Sequence, residues 1–321
     1  MQSLLIPSIY LRMIQIVMPN FFIVGAPKCA TSSMAAYLGQ HPDIYMSQEK
    51  EPHFFMSEGG TLDSFSGNTN YWWSSRILNR TDYEKLFSGV KNETAIGEAS
   101  TWYLFLPKCA ERIKSEIPDA KIIIFLRNPV DRAFSDFKHS LKFNLENITD
   151  FNEAVRIDDD RIRKNDIHAQ YYIQLGMYYS QVKRYFDVFG RQQVRVYLYD
   201  DIMTKLDVII KNIFTFLEVS ENFNVDTHER HMVSQLPVGK LGYNRIGQIL
   251  KNNLVGKKVI KTIFPPFVYK YIKNQIDQKT QITPIMTAAT RTELIAIYKE
   301  DLVKLQQLID KDLSGWITDK S

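Results

Sequence analysis

The chain has 321 residues, and 40 Lys and Arg against 36 Asp and Glu give a formal net charge of +4. Hydrophobic residues make up 45% and charged residues 24%, which excludes disordered, collagen-like and fibrous chains. The mild basic excess suits an anionic ligand in one pocket better than nucleic acid, which usually needs a denser Lys/Arg face. Cys29 and Cys109 are too few for a disulfide framework or a structural zinc site, so we expect free thiols and a cytoplasmic protein.

An apolar segment precedes the first predicted strand. It contains Pro7, Arg12 and Gln15 and lacks both a basic n-region and a small-residue cleavage site, so it does not read as a signal peptide. We predict an N-terminal arm over residues 1–18 and a single domain over residues 19–321. No window holds about 18 uninterrupted apolar residues, so we predict no membrane span and no membrane partner.

Short apolar runs alternate with amphipathic segments along the rest of the chain. The predicted buried strands are Phe21–Gly25, Lys121–Leu126 and Val194–Leu198. The predicted helices cover residues 31–39, 130–141, 177–189, 206–217 and 287–308. Strands separated by helices indicate an α/β fold, with a doubly wound parallel sheet flanked by helices. We predict a surface loop over residues 58–75 and a mobile lid over residues 226–247.

The loop after the first strand, residues 25–33 (GAPKCATSS), has the features of an anion-binding site. The start of the following helix offers unpaired N–H groups and a partial positive charge, residues 31–33 add three hydroxyls, and Lys28 adds a full charge. It is not a Walker A loop, because Ala30, Thr31 and Ser32 occupy the places of Gly-Lys-Ser/Thr. The alternative is a plain strand-to-helix turn capped by Thr31.

A second candidate anion site follows the strand that ends at Leu126. Arg127 lies at the carboxyl edge of that strand, where doubly wound sheets bind their ligands. Ser135 and His139 are four residues apart on the next helix, so they share a face. We predict that Arg127 and Ser135 bracket a second phosphate. The alternative is a capping arginine in front of a surface helix.

The two segments together resemble PAPS-dependent sulfotransferases, of the branch that includes bacterial enzymes and the sulfotransferase domains of heparan sulfate synthesis. GAPKCATSS is similar to the family's 5′-phosphosulfate loop, and KIIIFLRNPVDRAFSDFKH to its 3′-phosphate motif. The run YKEDLVKLQQLIDKDLSGW resembles the closing helix and Gly-Trp ending of the family. The similarity spans about residues 20–317.

The resemblance implies a P-loop-NTPase-like fold that uses PAPS as sulfuryl donor, releases PAP and needs no metal. The acceptor would be a hydroxyl, or less readily an amine, of a small molecule or sugar, and the protein a monomer or homodimer. Lys28 would stabilise the leaving phosphosulfate. The implied donor-binding residues are Lys28, Cys29, Ala30, Thr31, Ser32, Ser33, Arg127, Ser135 and, from a late loop, Lys240.

The general base is implied by the segment KEPHFF. Glu51 aligns with a glutamate that precedes a His/Gln-Phe-Phe segment in carbohydrate-type members and acts there as base. His53 is the second candidate, because its unperturbed pKa suits proton transfer. We interpret Glu49 and Lys50 as solvated neighbours. Phe55 joins Glu51 and His53 as a predicted acceptor-binding residue.

The segment GEASTWY resembles the family's Gly-Glu-Lys-(Ser/Thr)-Pro-x-Tyr element with two departures. Ala99 stands where lysine is frequent, and Thr101 replaces proline. Since that lysine lies near the reaction centre in carbohydrate-acting relatives, its loss puts a heparan-like acceptor in doubt. Trp102 and Tyr103 are predicted to line the acceptor pocket, with a place in the core as the alternative.

Two other function classes remain open on the residues alone. A P-loop-like nucleotide kinase would need Mg²⁺ and ATP, and the missing Gly-Lys-Ser/Thr argues against it. A non-catalytic nucleotide-binding module would bind without needing Lys28 or Glu51 for chemistry.

Overall fold

The computed structural model describes residues 17–58, 61–62, 77–143, 145–164, 166, 169–227, 238–239, 281–282 and 284–318. The predicted lid and the predicted surface loop therefore lie largely outside the described residues. Lys240 lies outside them altogether, as does most of the predicted N-terminal arm.

The centre of the structure is a sheet of five parallel strands with the order β2-β5-β1-β6-β7. Two short antiparallel pairs, β3 with β4 and β8 with β9, stand apart from it. The strands in chain order are β1 (Phe21–Gly25), β2 (Ile44–Met46), β3 (Ser57–Glu58), β4 (Thr61–Leu62), β5 (Ala95–Ala99), β6 (Lys121–Leu126), β7 (Val194–Leu198), β8 (Val238–Gly239) and β9 (Gln281–Ile282).

Helices connect the parallel strands. In chain order they are α1 (Thr31–Leu38), α2 (Arg80–Lys85), α3 (Cys109–Glu116), α4 (Pro129–Lys142), α5 (Phe151–Arg163), α6 (Tyr178–Phe189), α7 (Tyr199–Leu217), α8 (Ala288–Ile309) and α9 (Ser314–Ile317), with 3₁₀ turns at Phe54–Met56 and Gln174–Gly176. Helix α7 consists of two helices joined at a kink, where Lys205 has non-helical dihedrals. The doubly wound α/β prediction is confirmed, and β1, β6 and β7 have the predicted bounds.

The central strands are buried on both faces, which is why they read as unbroken apolar runs. Every residue of Phe21–Val24 and Ile122–Leu126 is fully buried. The neighbouring strand β5 is different, because it carries Gly97 and Glu98 within AIGEA and was not predicted. A Cβ on Gly97 would lie 2.1 Å from Cζ of Phe21, so the glycine is needed where the Phe21 ring packs across β5.

Local signals fix the helices that border the site. Asn128 caps α4 by accepting hydrogen bonds from the backbone N–H of Val130 at 3.0 Å and of Asp131 at 3.4 Å. Pro129 occupies the first turn, where its missing N–H costs nothing. Helix α8 packs against α4 and α6, and Arg291 on α8 pairs with Asp131 at 2.8 Å.

Both cysteines are free, as the sequence predicted, and both are buried. Among the described residues, no helix is long and apolar enough to cross a membrane.

Candidate functional site

The candidate site lies at the carboxyl edge of the sheet, where all five parallel strands end. Lys28 follows β1, Glu51 and His53 follow β2, and Arg127 follows β6. Strands β1 and β6 are neighbours, and the chain proceeds from β1 to β2 and β5 on one side and to β6 and β7 on the other. Lys28 and Arg127 therefore flank the switch point at which open α/β sheets bind ligands.

The Lys28 loop (residues 25–33) has a strained backbone. Lys28 and Ala30 have positive φ values of 70° and 66°, a conformation that costs non-glycine residues energy and is concentrated at functional sites. Ala30 occupies the cap position of α1, and no side chain caps this helix end. The alternative of a turn capped by Thr31 is therefore wrong. The exposed N–H groups of α1 are suited to an anion.

Lys28 interacts electrostatically with charged residues of helix α4 and of the loop after β2. Burial lowers the pKa of its ammonium, Asp136 and Glu51 act in the opposite direction, and Lys50 and Arg132 lower it further. Hence the loop after β1, the loop after β2 and helix α4 lie close together at the carboxyl edge of the sheet.

Arg127 lies close to the Lys28 loop, within electrostatic range of Cys29. Burial raises the pKa of the Cys29 thiol to about 11, and Arg132 and Arg127 both oppose this rise. The Arg127 guanidinium stacks over the ring of Tyr199, 4.5 Å from its centroid, at the start of α7. Its backbone carbonyl accepts a hydrogen bond of 3.0 Å from the Tyr178 hydroxyl. The strand end is thereby fixed, and a planar cation is oriented at the edge of the sheet.

Helix α4 carries the other predicted residues of this motif. Ser135 is buried, and one turn later burial, followed by the charge of Lys28, lowers the pKa of His139 to about 4. His139 is therefore neutral at physiological pH. Like Glu51, it lies within electrostatic range of Lys28. Fully buried Arg132 ties α4 to the core by donating to Asp136 at 3.0 Å and to the Tyr172 carbonyl at 2.6 Å.

The Glu51 loop (residues 47–53) presents a carboxylate surrounded by donors. The Thr101 hydroxyl donates to both oxygens of Glu51 at 3.1 Å. His53 Nε2 lies 3.3 Å from Glu51 Oε2, and Lys50 Nζ lies 3.7 Å from Glu51 Oε1. The Glu51 side chain is 24% exposed and that of His53 only 4%, so Glu51 is the more accessible of the two candidate bases.

Hydrogen bonds to the end of β5 hold this loop in place. The backbone N–H of Glu51 donates to the Ala99 carbonyl at 3.1 Å, and that of His53 donates to the Ser100 hydroxyl oxygen at 3.1 Å. Both Glu51 and His53 have positive φ, at 58° and 57°. The end of the neighbouring strand β5 thus holds a second segment with positive φ values in the site.

The buried carboxyl group of Glu98 stabilises these hydrogen bonds. Glu98 is 0% exposed, and it accepts a hydrogen bond from the Ser100 hydroxyl at 2.6 Å and another from the Tyr83 hydroxyl. Because Ser100 donates its proton to Glu98, its lone pairs are left to accept the N–H of His53. Burial raises the pKa of Glu98 to about 7 against the effect of its hydroxyl partners. Sequence reasoning missed this residue, since a strand glutamate gives no signal of its burial.

Lys50 also has a place that the sequence did not indicate. Its side chain is 40% exposed, as expected of a solvated neighbour, but its ammonium also contacts the Ser32 hydroxyl in the Lys28 loop. Its position directly before Glu51 was the only available signal.

The predicted acceptor-binding aromatics separate into two groups. Phe55 is 2% exposed and Tyr103 is 0% exposed, and the Tyr103 hydroxyl accepts the N–H of Phe55 at 3.1 Å. These two belong to the core, which was the alternative reading for Tyr103, and they support the Glu51 loop from beneath. Trp102 is half-buried and packs edge-on against Phe105 and Tyr171, so it can border a pocket.

The remaining predicted residues are placed only in part. Strand β8 lies against α4, and Lys240 follows it but is outside the described residues. Within the described part of the chain, His, Cys, Asp and Glu form no group of three or more that could hold a metal ion.

Comparison with known proteins identifies the family. Residues 19–222 match the model described as "Sulfotransferase family". The chain belongs to this family. A sulfotransferase from Alicyclobacillus acidocaldarius, known from a crystal structure, is 36% identical to it, with a TM-score of 0.72 over 94% of this chain and 100% of that chain. The likeness covers the whole parallel sheet and its helices.

Curated sulfotransferases are more distant. The membrane-associated sulfotransferase kil1 of Dictyostelium discoideum is 29% identical over 126 residues, which is 39% of this chain and 24% of that protein. Carbohydrate sulfotransferase 15 of Mus musculus is 24% identical over 247 residues, which is 63% of this chain and 44% of that protein. The chain thus spans less than half the length of these two sulfotransferases.

Proposed function

We propose that the protein transfers a sulfuryl group from PAPS to a hydroxyl, or less readily an amine, of a carbohydrate or small-molecule acceptor, and releases PAP. The observation that carries this proposal is the pairing of two anion-binding segments on the adjacent strands β1 and β6. One presents Lys28 and the uncapped start of α1, and the other presents Arg127 beside Tyr199. A donor with phosphate groups at both ends of a nucleoside needs two such segments.

The Lys28 loop suits the phosphosulfate end of the donor. Backbone N–H groups at the start of α1, with the hydroxyls of Thr31, Ser32 and Ser33, would hold the 5′-phosphate. Lys28 would neutralise the charge that develops on the oxygen between phosphorus and sulfur. Arg127 and buried Ser135 would hold the 3′-phosphate, and Lys240 is proposed to join them. Arg127 is suited to this role, because a guanidinium matches phosphate oxygens in pairs.

Like phosphoryl transfer, sulfuryl transfer mainly requires that the protein position the reactants and stabilise the charge of the transition state. Glu51 is proposed as general base: it takes the acceptor's proton while the acceptor oxygen forms a bond to sulfur. The bond from sulfur to the bridging oxygen breaks, and its electron pair stays on the 5′-phosphate of PAP. Thr101 and His53 orient the Glu51 carboxylate through contacts of 3.1 and 3.3 Å.

The acceptor class rests on the relatives and on the site. Relatives named as a carbohydrate sulfotransferase and as a heparan sulfate N-deacetylase/N-sulfotransferase favour a sugar acceptor, with a hydroxyl or an amine as the accepting group. Ala99 in place of a lysine makes a heparan-like chain less suitable, and half-buried Trp102 suits a compact or partly apolar acceptor. The proposal therefore covers both a sugar and a small molecule, and the assay must offer both.

Ligand-dependent unfolding tests the donor. We expect PAP, in the presence of EDTA, to raise the unfolding temperature, because a ligand at about 100 times its Kd stabilises the folded state by about 2.7 kcal/mol. NAD should not do so, and ATP with Mg²⁺ should do so less than PAP. Stabilisation by ATP and Mg²⁺ alone would instead identify a nucleotide kinase.

Transfer is tested with ³⁵S-labelled PAPS. A phenol, a set of neutral oligosaccharides and an amino sugar are offered in parallel, and labelled product is separated by mass. Binding of PAP without transfer to any acceptor of these classes, or to a metabolite extract of the source organism, would favour the non-catalytic nucleotide-binding module.

A further inference from the structure

The ammonium of Lys50 connects the two halves of the site. It contacts the Ser32 hydroxyl in the Lys28 loop and lies 3.7 Å from the Glu51 carboxylate. Ser32 belongs to the segment assigned to the donor, and Glu51 to the segment assigned to the acceptor. One cation therefore lies between the segment assigned to the donor and the segment assigned to the acceptor.

The backbone around Lys50 is firmly held. The N–H of Ser47 donates to the Gly97 carbonyl at 2.9 Å, and the N–H of Glu51 donates to the Ala99 carbonyl at 3.1 Å. These bonds fasten both sides of residue 50 to the end of β5. The side chain is nevertheless 40% exposed, so a ligand can reach its ammonium.

The charges around Lys50 favour an incoming anion. Lys50 lowers the pKa of both Lys28 and His139, so it lies within electrostatic range of both. Like charges held close together destabilise each other unless an anion joins them. Asp136 and Glu51 oppose this effect at Lys28, but the pKa of Lys28 is still lowered. A sulfonate would relieve the remaining repulsion.

We propose that Lys50 is a catalytic residue whose ammonium binds the oxygens of the sulfonate during its transfer. When the donor enters, the ammonium exchanges the Ser32 hydroxyl for a sulfonate oxygen, and Ser32 becomes available to the 5′-phosphate. Lys28 stabilises the negative charge that develops on the bridging oxygen, and Lys50 stabilises the charge on the sulfonate oxygens during the transfer. Lys50 itself forms no covalent bond and gives up no proton. This inference rests on the proposed function of the same site.

The test exploits the difference between PAPS and PAP, since PAP lacks the sulfonate. We compare Lys50→Met and Lys50→Arg with the wild type and with Lys85→Met, a control lysine on α2 that is 66% exposed and paired with Asp82. The kcat for transfer from labelled PAPS and the Kd of PAP are measured for each protein. The unfolding temperature shows that each variant is folded.

We expect Lys50→Met to lower kcat by about 100-fold, as the loss of one donor to a developing charge typically does, and to leave the Kd of PAP unchanged. Lys50→Arg should restore part of the rate, and Lys85→Met should behave as wild type. An unchanged kcat in Lys50→Met would overturn the inference. A Kd of PAP that rises by the same factor as kcat falls would also overturn it, because Lys50 would then bind the 5′-phosphate. A wild type that neither binds PAP nor transfers sulfate would refute the proposed function itself.

Discussion

The side of the site assigned to the donor and the side assigned to the acceptor are built in different ways. On the donor side, Lys28 and Arg127 each directly follow the strand that positions them, and each belongs to one contiguous segment. On the acceptor side, Glu51 and His53 follow β2, but Ala99, Ser100 and Thr101 at the end of β5 hold them. The positions of Lys28 and Arg127 thus follow from the strands that precede them, with Tyr178 and Tyr199 as further contacts of Arg127, whereas Glu51 and His53 depend on hydrogen bonds to a distant segment.

This difference determines how each half responds to substitution. A change at Lys28 removes a charge that is proposed to act directly on the donor, while the loop backbone stays as it is. A change at the end of β5 acts through the residues it holds, so its effect on the rate is indirect. Substitutions on the two sides should therefore differ both in size and in the kinetic parameter they affect.

The largest effect is expected on the donor side. Replacing Lys28 by Met should lower kcat by about 10²- to 10³-fold, because a preorganised charge at the leaving oxygen is lost. PAP binding should weaken less than the rate falls, since the N–H groups at the start of α1 remain. The measurement is single-turnover transfer from labelled PAPS together with PAP titration.

The matched control for this variant is Lys304→Met, in an exposed lysine of α8 that pairs with Glu300. It should leave the rate unchanged. A Lys28→Met enzyme with the full wild-type rate would place the stabilising charge elsewhere and break the distinction between a directly acting donor side and an indirectly acting acceptor side.

The next effect concerns the buried Glu98 beneath the acceptor side. Burial raises its pKa to about 7, whereas in the unfolded chain the carboxyl loses its proton near its ordinary value of about 4.5. The folded state therefore binds more protons between these values, and its stability falls as the pH rises through that window. Hydroxyls of Tyr83 and Ser100 and the charge of Glu51 face this carboxyl.

Glu98→Gln removes this titration. The stability of the wild type relative to the variant should decrease by about 2 to 3 kcal/mol between about pH 5 and about pH 8, as measured by urea unfolding. The control Glu300→Gln changes an exposed glutamate and should show no comparable difference. Parallel pH profiles for wild type and Glu98→Gln would mean that folding does not raise the pKa of Glu98.

The donor side was largely predictable from the sequence, and the structure shows why. Unbroken apolar runs predicted β1 and β6 with their bounds, and a loop directly after each strand must lie at the carboxyl edge of a parallel sheet. Asn128-Pro129 predicted the start of α4, because both residues act on the backbone next to them. Local rules suffice where a site is made of local segments.

The acceptor side was less predictable. Strand β2 has only three residues, and β5 carries Gly97 and Glu98, so neither shows the apolar pattern of a buried strand. The contacts of Lys50 with Ser32 and of Thr101 with Glu51 join residues far apart in the sequence. The resemblance pointed to Glu51, but no pattern in the chain indicated which groups hold it.

The smallest of these effects tests whether the acceptor side acts indirectly. Thr101→Val keeps the side-chain shape and removes the hydroxyl that donates to both oxygens of Glu51 at 3.1 Å. A hydrogen bond to a charged group is worth about 1.5 kcal/mol or more, so kcat should fall by about tenfold. The Kd of PAP should stay unchanged, because the Thr101 hydroxyl donates to Glu51, which is assigned to the acceptor. Thr204→Val on α7, where the hydroxyl bonds a helix carbonyl, is the control for loss of a hydroxyl.

Thr101→Val could instead weaken PAP binding as much as it slows transfer. In that case the two halves of the site are coupled, and the difference in how they are built does not extend to their function.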